Sequence, residues 1–401
     1  MFTDISEAIS WITSRRNNNY SFDHFRRICR KFGDLQDDLY LIHVAGTNGK
    51  GSTVQFLCDL LMSQGYKVGT FTSPHLISHL DRIRINNRNI TDEAFLRILN
   101  KNYDFFIDND MSMMEMDYLI MCEYFTEEKV DYAVIEVGLG GRLDSTNVAD
   151  HTKLSVITSI GFDHMEKLGN TLPEICKEKC GIIKQDSKVL CGYLDDSCME
   201  VVRKTAEEKD SELYVLDEYQ DLGNRHFLFH GEEYEISSYA SYQLHNASLA
   251  LYAYEIIEKD CNIHSDQEKL KDALKHSLWH CRFEIVKENP CVILDGAHNM
   301  HGIEALVRSF DRFDGSKCIV FSALKRKEYR KMLEELEKHC DRLIITDFPG
   351  SDVIDLKEFE DKDTDSDYIH AIKEAMKHYD NVLICGSLYF MSEVVLNVKF
   401  E

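Results

Sequence analysis

Leu41-Ile-His-Val-Ala-Gly-Thr-Asn-Gly-Lys-Gly-Ser-Thr53 runs from apolar to glycine-rich to polar within one short stretch. Leu41, Ile42 and Val44 predict the end of a buried strand. Gly46, Gly49 and Gly51 let the backbone turn tightly and come close to a ligand. Ser52 and Thr53 stand at a helix start, ahead of Val54, Phe56, Leu57, Leu60 and Leu61. Strand, glycine loop and helix N-terminus together form an anion site, because free amides and the helix dipole face one point. Lys50 adds a charge able to reach a terminal phosphate, and Ser52 offers a hydroxyl to a magnesium ion. The spacing departs from the common Walker A form, since Gly51 intervenes between Lys50 and Ser52. The alternative is a glycine-rich turn with a surface lysine. A loop this dense directly after an apolar strand favours phosphate.

Outward from this loop, apolar periodicity predicts a helix over 4–32 and mostly helix over 92–128. Short apolar strands are expected at 67–72, 131–137, 154–160, 189–193 and 213–216. Further expectations are a helix over 171–180, a hairpin around Gly231 and a helix over 242–258. After Pro290, strands at 292–294, 318–321, 343–346 and 382–385 alternate with helices over 301–313, 327–340 and 366–379. Such alternation with short connections predicts α/β architecture, parallel sheets covered by helices. The acidic stretch 352–367 reads as a solvated loop. A boundary near 286–291 divides the chain into domains 1–287 and 288–401.

The bulk numbers narrow the class. A length of 401 residues favours two or three domains, and 44% hydrophobic with 29% charged residues is ordinary for a soluble globular chain. The net charge of -24 argues against general affinity for nucleic acid or an anionic membrane surface. Thirteen cysteines with no Cys-x-x-Cys pair suit a reducing cytoplasm. Cys176 and Cys180, with His164 upstream, are weak as a zinc set because such pairs have tighter partners elsewhere in a chain. No export signal or bilayer-spanning run is expected.

Chemistry is expected where strands end, since open parallel sheets bind ligands at their carboxyl edge. Glu136 closes the apolar run Tyr132–Glu136, where a carboxylate needs a cation. That cation is either magnesium on the phosphate loop or Arg142 in an ion pair. His164, in Ile-Gly-Phe-Asp-His, is a ligand or a structural histidine; Ser73, before Pro74, is a metal ligand or a turn serine. Asp295 ends a strand in Leu-Asp-Gly-Ala-His-Asn and either accepts from a ribose hydroxyl or holds a turn. Arg282 clamps a phosphate oxygen or lies on the surface. Asn246 caps a helix or contacts a base.

Taken together, these segments resemble the folylpolyglutamate synthase and dihydrofolate synthase family, a branch of the Mur-type amide ligases. The matching segments are His43–Thr53 (HVAGTNGKGST), Phe71–Leu76 (FTSPHL), Asp81–Asn86 (DRIRIN), Glu136–Val148 (EVGLGGRLDSTNV) and Ile157–His164 (ITSIGFDH). Glu178–Lys184 (EKCGIIK), Asn246-Ala247, Arg282-Phe283-Glu284, Leu294–Asn299 (LDGAHN) and Gly386–Tyr389 (GSLY) follow in the family order. The resemblance implies a nucleotide-binding N-terminal domain with a mainly parallel P-loop-type sheet, and a smaller Rossmann-like C-terminal domain.

It also implies ATP held by Asn48, Gly49, Lys50, Gly51 and Ser52, with Asn246, Arg282 and Asp295 on the rest of the nucleotide. Ser73 and Glu136 would hold a first magnesium and His164 a second, with Lys179 carbamylated as a further metal ligand. Lys50, Glu136, His164 and Lys179 would carry catalysis. Leu143, Asp144 and Ser145 would line the pterin pocket, with Ser112–Glu115 and Phe22–Phe25 as further candidates. The implied reaction adds L-glutamate to a folate or to dihydropteroate through an acyl phosphate, in a monomeric enzyme. Arg326-Lys327-Glu328 replaces the family's Asp-Lys-Asp. Other Mur-type ligases, and a nucleotide-binding scaffold without catalysis, are the competing expectations.

Overall fold

Leu41–Ala45 forms a fully buried strand, β1, at the heart of the larger of two sheets in a computed structural model that describes residues 1–15, 20–262 and 264–400. The other strands of this sheet are β2 (Val68–Phe71), β3 (Ile83–Ile85), β4 (Arg88–Asn89), β5 (Tyr132–Glu136), β6 (Leu154–Ile157), β7 (Lys188–Cys191) and β8 (Glu212–Val215). Their order is β4-β3-β2-β5-β1-β6-β7-β8, and β2, β5, β1, β6, β7 and β8 pair in parallel. Strands β9 (Gln220–Gly223), β10 (His226–Phe229) and β11 (Glu232–Glu235) make a small antiparallel sheet. Strands β12 (Arg282–Lys287), β13 (Cys291–Asp295), β14 (Lys317–Phe321), β15 (Arg342–Thr346), β16 (Thr364–Asp365) and β17 (Asn381–Cys385) form the second large sheet, in the order β12-β13-β17-β14-β15-β16. Only β12 in it is antiparallel.

The helices are α1 (Ile5–Ser14), α2 (Phe22–Phe32), α3 (Lys50–Ser63), α4 (Asp92–Lys101), α5 (Tyr103–Asp108), α6 (Met113–Glu128), α7 (Met165–Leu168), α8 (Leu172–Cys180), α9 (Asp196–Glu208), α10 (Ser241–Cys261), α11 (Gln267–His276), α12 (Met300–Phe310), α13 (Tyr329–Leu336), α14 (Tyr368–His378) and α15 (Leu388–Asn397). The chain divides into two compact units, Met1–Glu218 with Asn246–Leu274, and Tyr219–His245 with Lys275–Glu401. The expected division between 287 and 288 runs through the β12–β13 hairpin, whose strands share one sheet.

Local chemistry explains the helix ends. The single helix expected over 4–32 is two: Asp4 caps α1, Ser21 caps α2, and Gly33 at φ +107° stops α2. Residues 16–19 of that expectation lie outside the described residues. Thr171 and Glu174 build a capping box that starts α8. One apolar core packs α1, α2, α4 and α6 around Phe25, Phe71, Phe95, Tyr118 and Phe125. A second joins α8 and α9 to β6 and β7 through Ile157, Cys176, Cys180, Cys191 and Cys198. The acidic stretch 352–367 is more than a solvated loop: Val353, Ile354 and Phe359 are buried, and β16 pairs with β15. Its apolar residues, spaced between the acids, anchor it.

Candidate active site

The carboxyl ends of four adjacent parallel strands, β2, β5, β1 and β6, lead into Ser73, Glu136, the Gly46–Ser52 loop and His164, while Lys179 and Asn246 come from α8 and α10. The loop after β1 is tied to the loop after β6. Thr158 Oγ1 donates to Asn48 O at 2.6 Å, Asn48 N donates to Ser159 Oγ at 3.1 Å, and Thr47 Oγ1 donates to Gly161 O at 3.1 Å. A Cβ on Gly46 would lie 1.8 Å from Thr158 Oγ1, so only glycine fits that close approach. Gly49 has φ +85° and starts α3 without any side-chain cap. The first amides of any helix lie outside its own hydrogen-bond ladder, and at a glycine-capped start such as this one they point where an anion binds.

Two lysines converge on this loop. Lys50 Nζ donates to Gly46 O at 3.1 Å and Thr47 O at 3.2 Å, and Lys179 Nζ donates to the same Gly46 O at 2.9 Å. Lys179 is 4% exposed. Burial, with the nearby Lys50 charge, pushes its ammonium down to about 7, so a neutral amine is present near neutral pH. The Asp163 charge opposes that fall. The Lys50 ammonium thus meets a partly neutral Lys179 at one loop of a chain with net charge -24.

Glu136 ends β5 beside β1, in register with Val44, and is 6% exposed. Its Oε2 accepts from Ser73 N at 3.2 Å, which brings the turn after β2 to the end of β5. The alternative partner, Arg142, instead donates from Nε to Glu178 Oε1 at 2.9 Å. The buried Glu136 carboxylate and the half-buried Ser73 hydroxyl are oxygen ligands that fit magnesium, which binds through one or two carboxylates plus substrate phosphates. Among the described residues, no group of three or more His, Cys, Asp or Glu is gathered for a metal. His164 stands at φ +50° before α7, with Nε2 3.8 Å from Asp163 Oδ1 and Nδ1 3.7 Å from Glu166 Oε1.

Asn246 corrects one expectation. It lies in the second turn of α10, not at its start, so it caps nothing there. Its Oδ1 instead reaches the loop: a Cβ on Gly49 would sit 2.3 Å from it. Asp144 does structural work, accepting from Leu139 N at 2.7 Å, Thr146 N at 3.0 Å and Thr146 Oγ1 at 2.6 Å. Beside it, Leu143 is 47% exposed and Ser145 is buried.

In the second unit, Asp295 ends β13 and is buried. It accepts from Tyr242 Oη at 2.5 Å, Phe283 N at 2.8 Å and Ala297 N at 2.7 Å. Burial raises its carboxyl pKa, and the Arg282 charge opposes that rise. Arg282 opens β12 opposite Asp295, and its Nη1 would lie 2.5 Å from a Cβ on Gly296. Arg326 pairs with Asp352 at 2.7 Å. Sequence reasoning missed Thr47, Thr158, Ser159 and Tyr242. Hydroxyls at the end of an apolar strand, opposite a glycine loop, were the available signal for Thr158 and Ser159.

Comparison with known proteins bears on the same residues. The Mur ligase middle domain matches residues 44–254, and the Mur ligase glutamate ligase domain matches residues 281–388. The dihydrofolate synthase/folylpolyglutamate synthase of Bacillus subtilis is 36% identical, with all of both chains covered. The apo folylpolyglutamate synthase of L. casei superposes with a TM-score of 0.86 at 26% identity, covering 98% of each chain. A bifunctional folylpolyglutamate synthase/dihydrofolate synthase solved with Mn, AMPPNP and L-glutamate gives 0.87 at 25% identity, again covering 98% of each. A glycine cradle with two converging lysines at the edge of a parallel sheet, read with these matches, places the chain in the Mur ligase family, in its folylpolyglutamate synthase/dihydrofolate synthase branch.

Proposed function

We propose that this chain is an ATP-dependent ligase that joins the amine of L-glutamate to the carboxylate of a folate, of dihydropteroate, or of both. The observation that carries the reading is the cradle itself: an uncapped helix start, with Lys50 and Lys179 donating to one loop carbonyl beside Glu136. The full-length relative from B. subtilis, named for both activities, supports either acceptor.

The chemistry follows from what a carboxylate lacks. It is a poor electrophile, so its oxygen first displaces ADP from the γ-phosphate to give an acyl phosphate. Glutamate's amine then attacks the acyl carbon and phosphate leaves. Asn48, Gly49, Lys50, Gly51 and Ser52 hold the phosphates through amides and one ammonium, which offset charge spreading over the phosphoryl oxygens. Asn246, Arg282 and Asp295 hold the rest of the nucleotide, and Leu143, Asp144 and Ser145 the pterin. The phosphate-holding role falls to residues 1–287 and the glutamate-ligase role to 288–401, with Asp295, across that division on the β12–β13 hairpin, also serving the nucleotide.

Ser73 and Glu136 would hold one magnesium ion, and His164 with Lys179 a second. When bound, magnesium supplies positive charge to the phosphoryl oxygens. The depressed Lys179 ammonium supports carbamylation, since carbon dioxide adds only to a neutral amine. A monomer in the cytoplasm, working on small molecules and not on nucleic acid, completes the reading. All thirteen cysteines are free thiols, and no described helix is long and apolar enough to cross a membrane.

The test is ADP release with L-glutamate and three acceptors in parallel: dihydropteroate, tetrahydrofolate and a cell-wall nucleotide peptide. Turnover with either pterin is expected. Turnover with the cell-wall acceptor alone, or with none, contradicts the reading.

A further inference from the structure

The segment Asp81-Arg-Ile-Arg-Ile-Asn86 supplies no ligand to the site described above, yet it is built with unusual care. Asp81 accepts from the amides of Leu76, Ile77 and Ser78 at 3.2, 2.9 and 3.1 Å, folding the segment after Pro74 back on itself. Arg82 is 5% exposed. Its carbonyl accepts from Thr72 N at 3.0 Å, and its Nε donates to His75 Nδ1 at 3.2 Å. One arginine therefore holds both residues that flank Ser73-Pro74. Arg82 is itself braced from α6. Its Nε lies 3.9 Å from Asp117 Oδ2, and its Nη1 lies 3.4 Å from Met114 Sδ.

Asp117 is fully buried, and its Oδ1 lies 2.8 Å from His79 Nε2. Among the described residues, Asp117 Oδ2 and His79 Nδ1 have no hydrogen-bond partner. The Phe95 ring meets His79 edge-on at 6.0 Å. A buried, incompletely bonded charge cluster is a poor source of stability, because desolvation offsets its attraction. What such a cluster does fix is geometry. Here the geometry is that of the turn whose Ser73 N–H already bonds Glu136.

We propose that Arg82, braced by Asp117, is a positioning residue that sets the Thr72–His75 turn so that Ser73 and Glu136 share one magnesium ion. The inference rests on the assignment of Ser73 and Glu136 to magnesium made above. Arg82→Lys keeps a charge near Asp117 but loses the planar Nε–H to His75. The experiment is ADP release against magnesium concentration for wild type, Arg82→Lys and Ser73→Ala, with a thermal melt of each.

Arg82→Lys is expected to raise the half-maximal magnesium concentration about tenfold, as outer partners of metal ligands do. Saturating magnesium should return its kcat to within about twofold of wild type, a rescue that general unfolding would not give. An unchanged magnesium requirement, or a loss that magnesium does not restore, overturns the inference. If Arg82→Lys does not fold, Asp117→Asn is measured with the same expectations and the same overturning results. A shift in Ser73→Ala without one in Arg82→Lys removes the positioning role alone. No shift in Ser73→Ala removes the metal assignment, and the positioning role with it.

Discussion

β1 with α3 in the first unit and β13 with α12 in the second are both buried strands that run through a four-residue loop into a helix. Their loops treat the helix start in opposite ways. Before α12, Asp295 Oδ1 accepts from Ala297 N at 2.7 Å and Asn299 Oδ1 caps Gly302 N at 2.8 Å. The chain's own side chains fill the positions an anion would take. Before α3, Gly49 caps with no side chain, and two lysines face the loop instead. The difference lies in two residue choices, glycine against asparagine at the cap and lysine against methionine at the first helical position. Under the proposed function, that choice assigns the phosphate to the helix dipole of the first unit.

Five substitutions test this difference. Removing the ammonium should do most: Lys50→Ala is expected to lower kcat about a thousandfold, the scale of a lost transition-state donor. Far-ultraviolet circular dichroism should stay at wild type. Near-normal turnover would take the loop out of the mechanism.

Next come matched glycine changes. Gly49→Ala forces a Cβ to φ +85° and to 2.3 Å from Asn246 Oδ1. It should cost about 1–2 kcal/mol in denaturant unfolding and weaken nucleotide binding by calorimetry. Gly302→Ala lies within α12, where the Cβ meets Asn299 Oδ1 at 3.1 Å. It should change stability by less than about 1 kcal/mol and leave nucleotide binding alone. Equal effects of the two would erase the distinction between the loops.

The third test uses protons. The folded Lys179 titrates near 7, well below the unfolded side chain, so between pH 7 and the ordinary lysine range the unfolded chain binds the extra proton. Stability should therefore rise with pH from about 7 towards 10, relative to Lys179→Met, whose melting temperature should lack that slope. Parallel melting curves for the two proteins would contradict the buried, depressed ammonium. The smallest effect is expected from Asn299→Ala, about 1 kcal/mol of stability lost with the α12 cap and no change in nucleotide affinity.

Much of this was legible in the sequence because strand ends and glycine loops are local features. His43–Thr53 alone carries the strand, the tight turn and the helix start. Glu136 was legible because a carboxylate closing an apolar run needs a reason. The division of 4–32 into two helices was present in Ser21 and Gly33, but the long apolar stripe outweighed those caps. Whether Asn246 caps its helix or serves a ligand was left open by the sequence, because the side chain reaches Gly49, far away in the chain.

The bonds of Thr158 and Ser159 to the phosphate loop and of Lys179 to Gly46 were out of reach, since each joins residues more than a hundred positions apart. Parallel strands bring such distant residues to one edge, and no local pattern announces it. The same holds for Arg82 and Asp117, which meet because α6 shares one core with Ile83 and Ile85 of β3, the strand that Arg82 precedes.

The most direct test of the central claim, that the backbone between Gly46 and Ser52 holds a triphosphate, is a crystal structure grown with AMPPNP and magnesium. Phosphate density is expected over the α3 N-terminus, with Lys50 Nζ turned from Gly46 O to a phosphate oxygen. Phosphate density at any other site, with the Lys50–Gly46 bond intact, would contradict it.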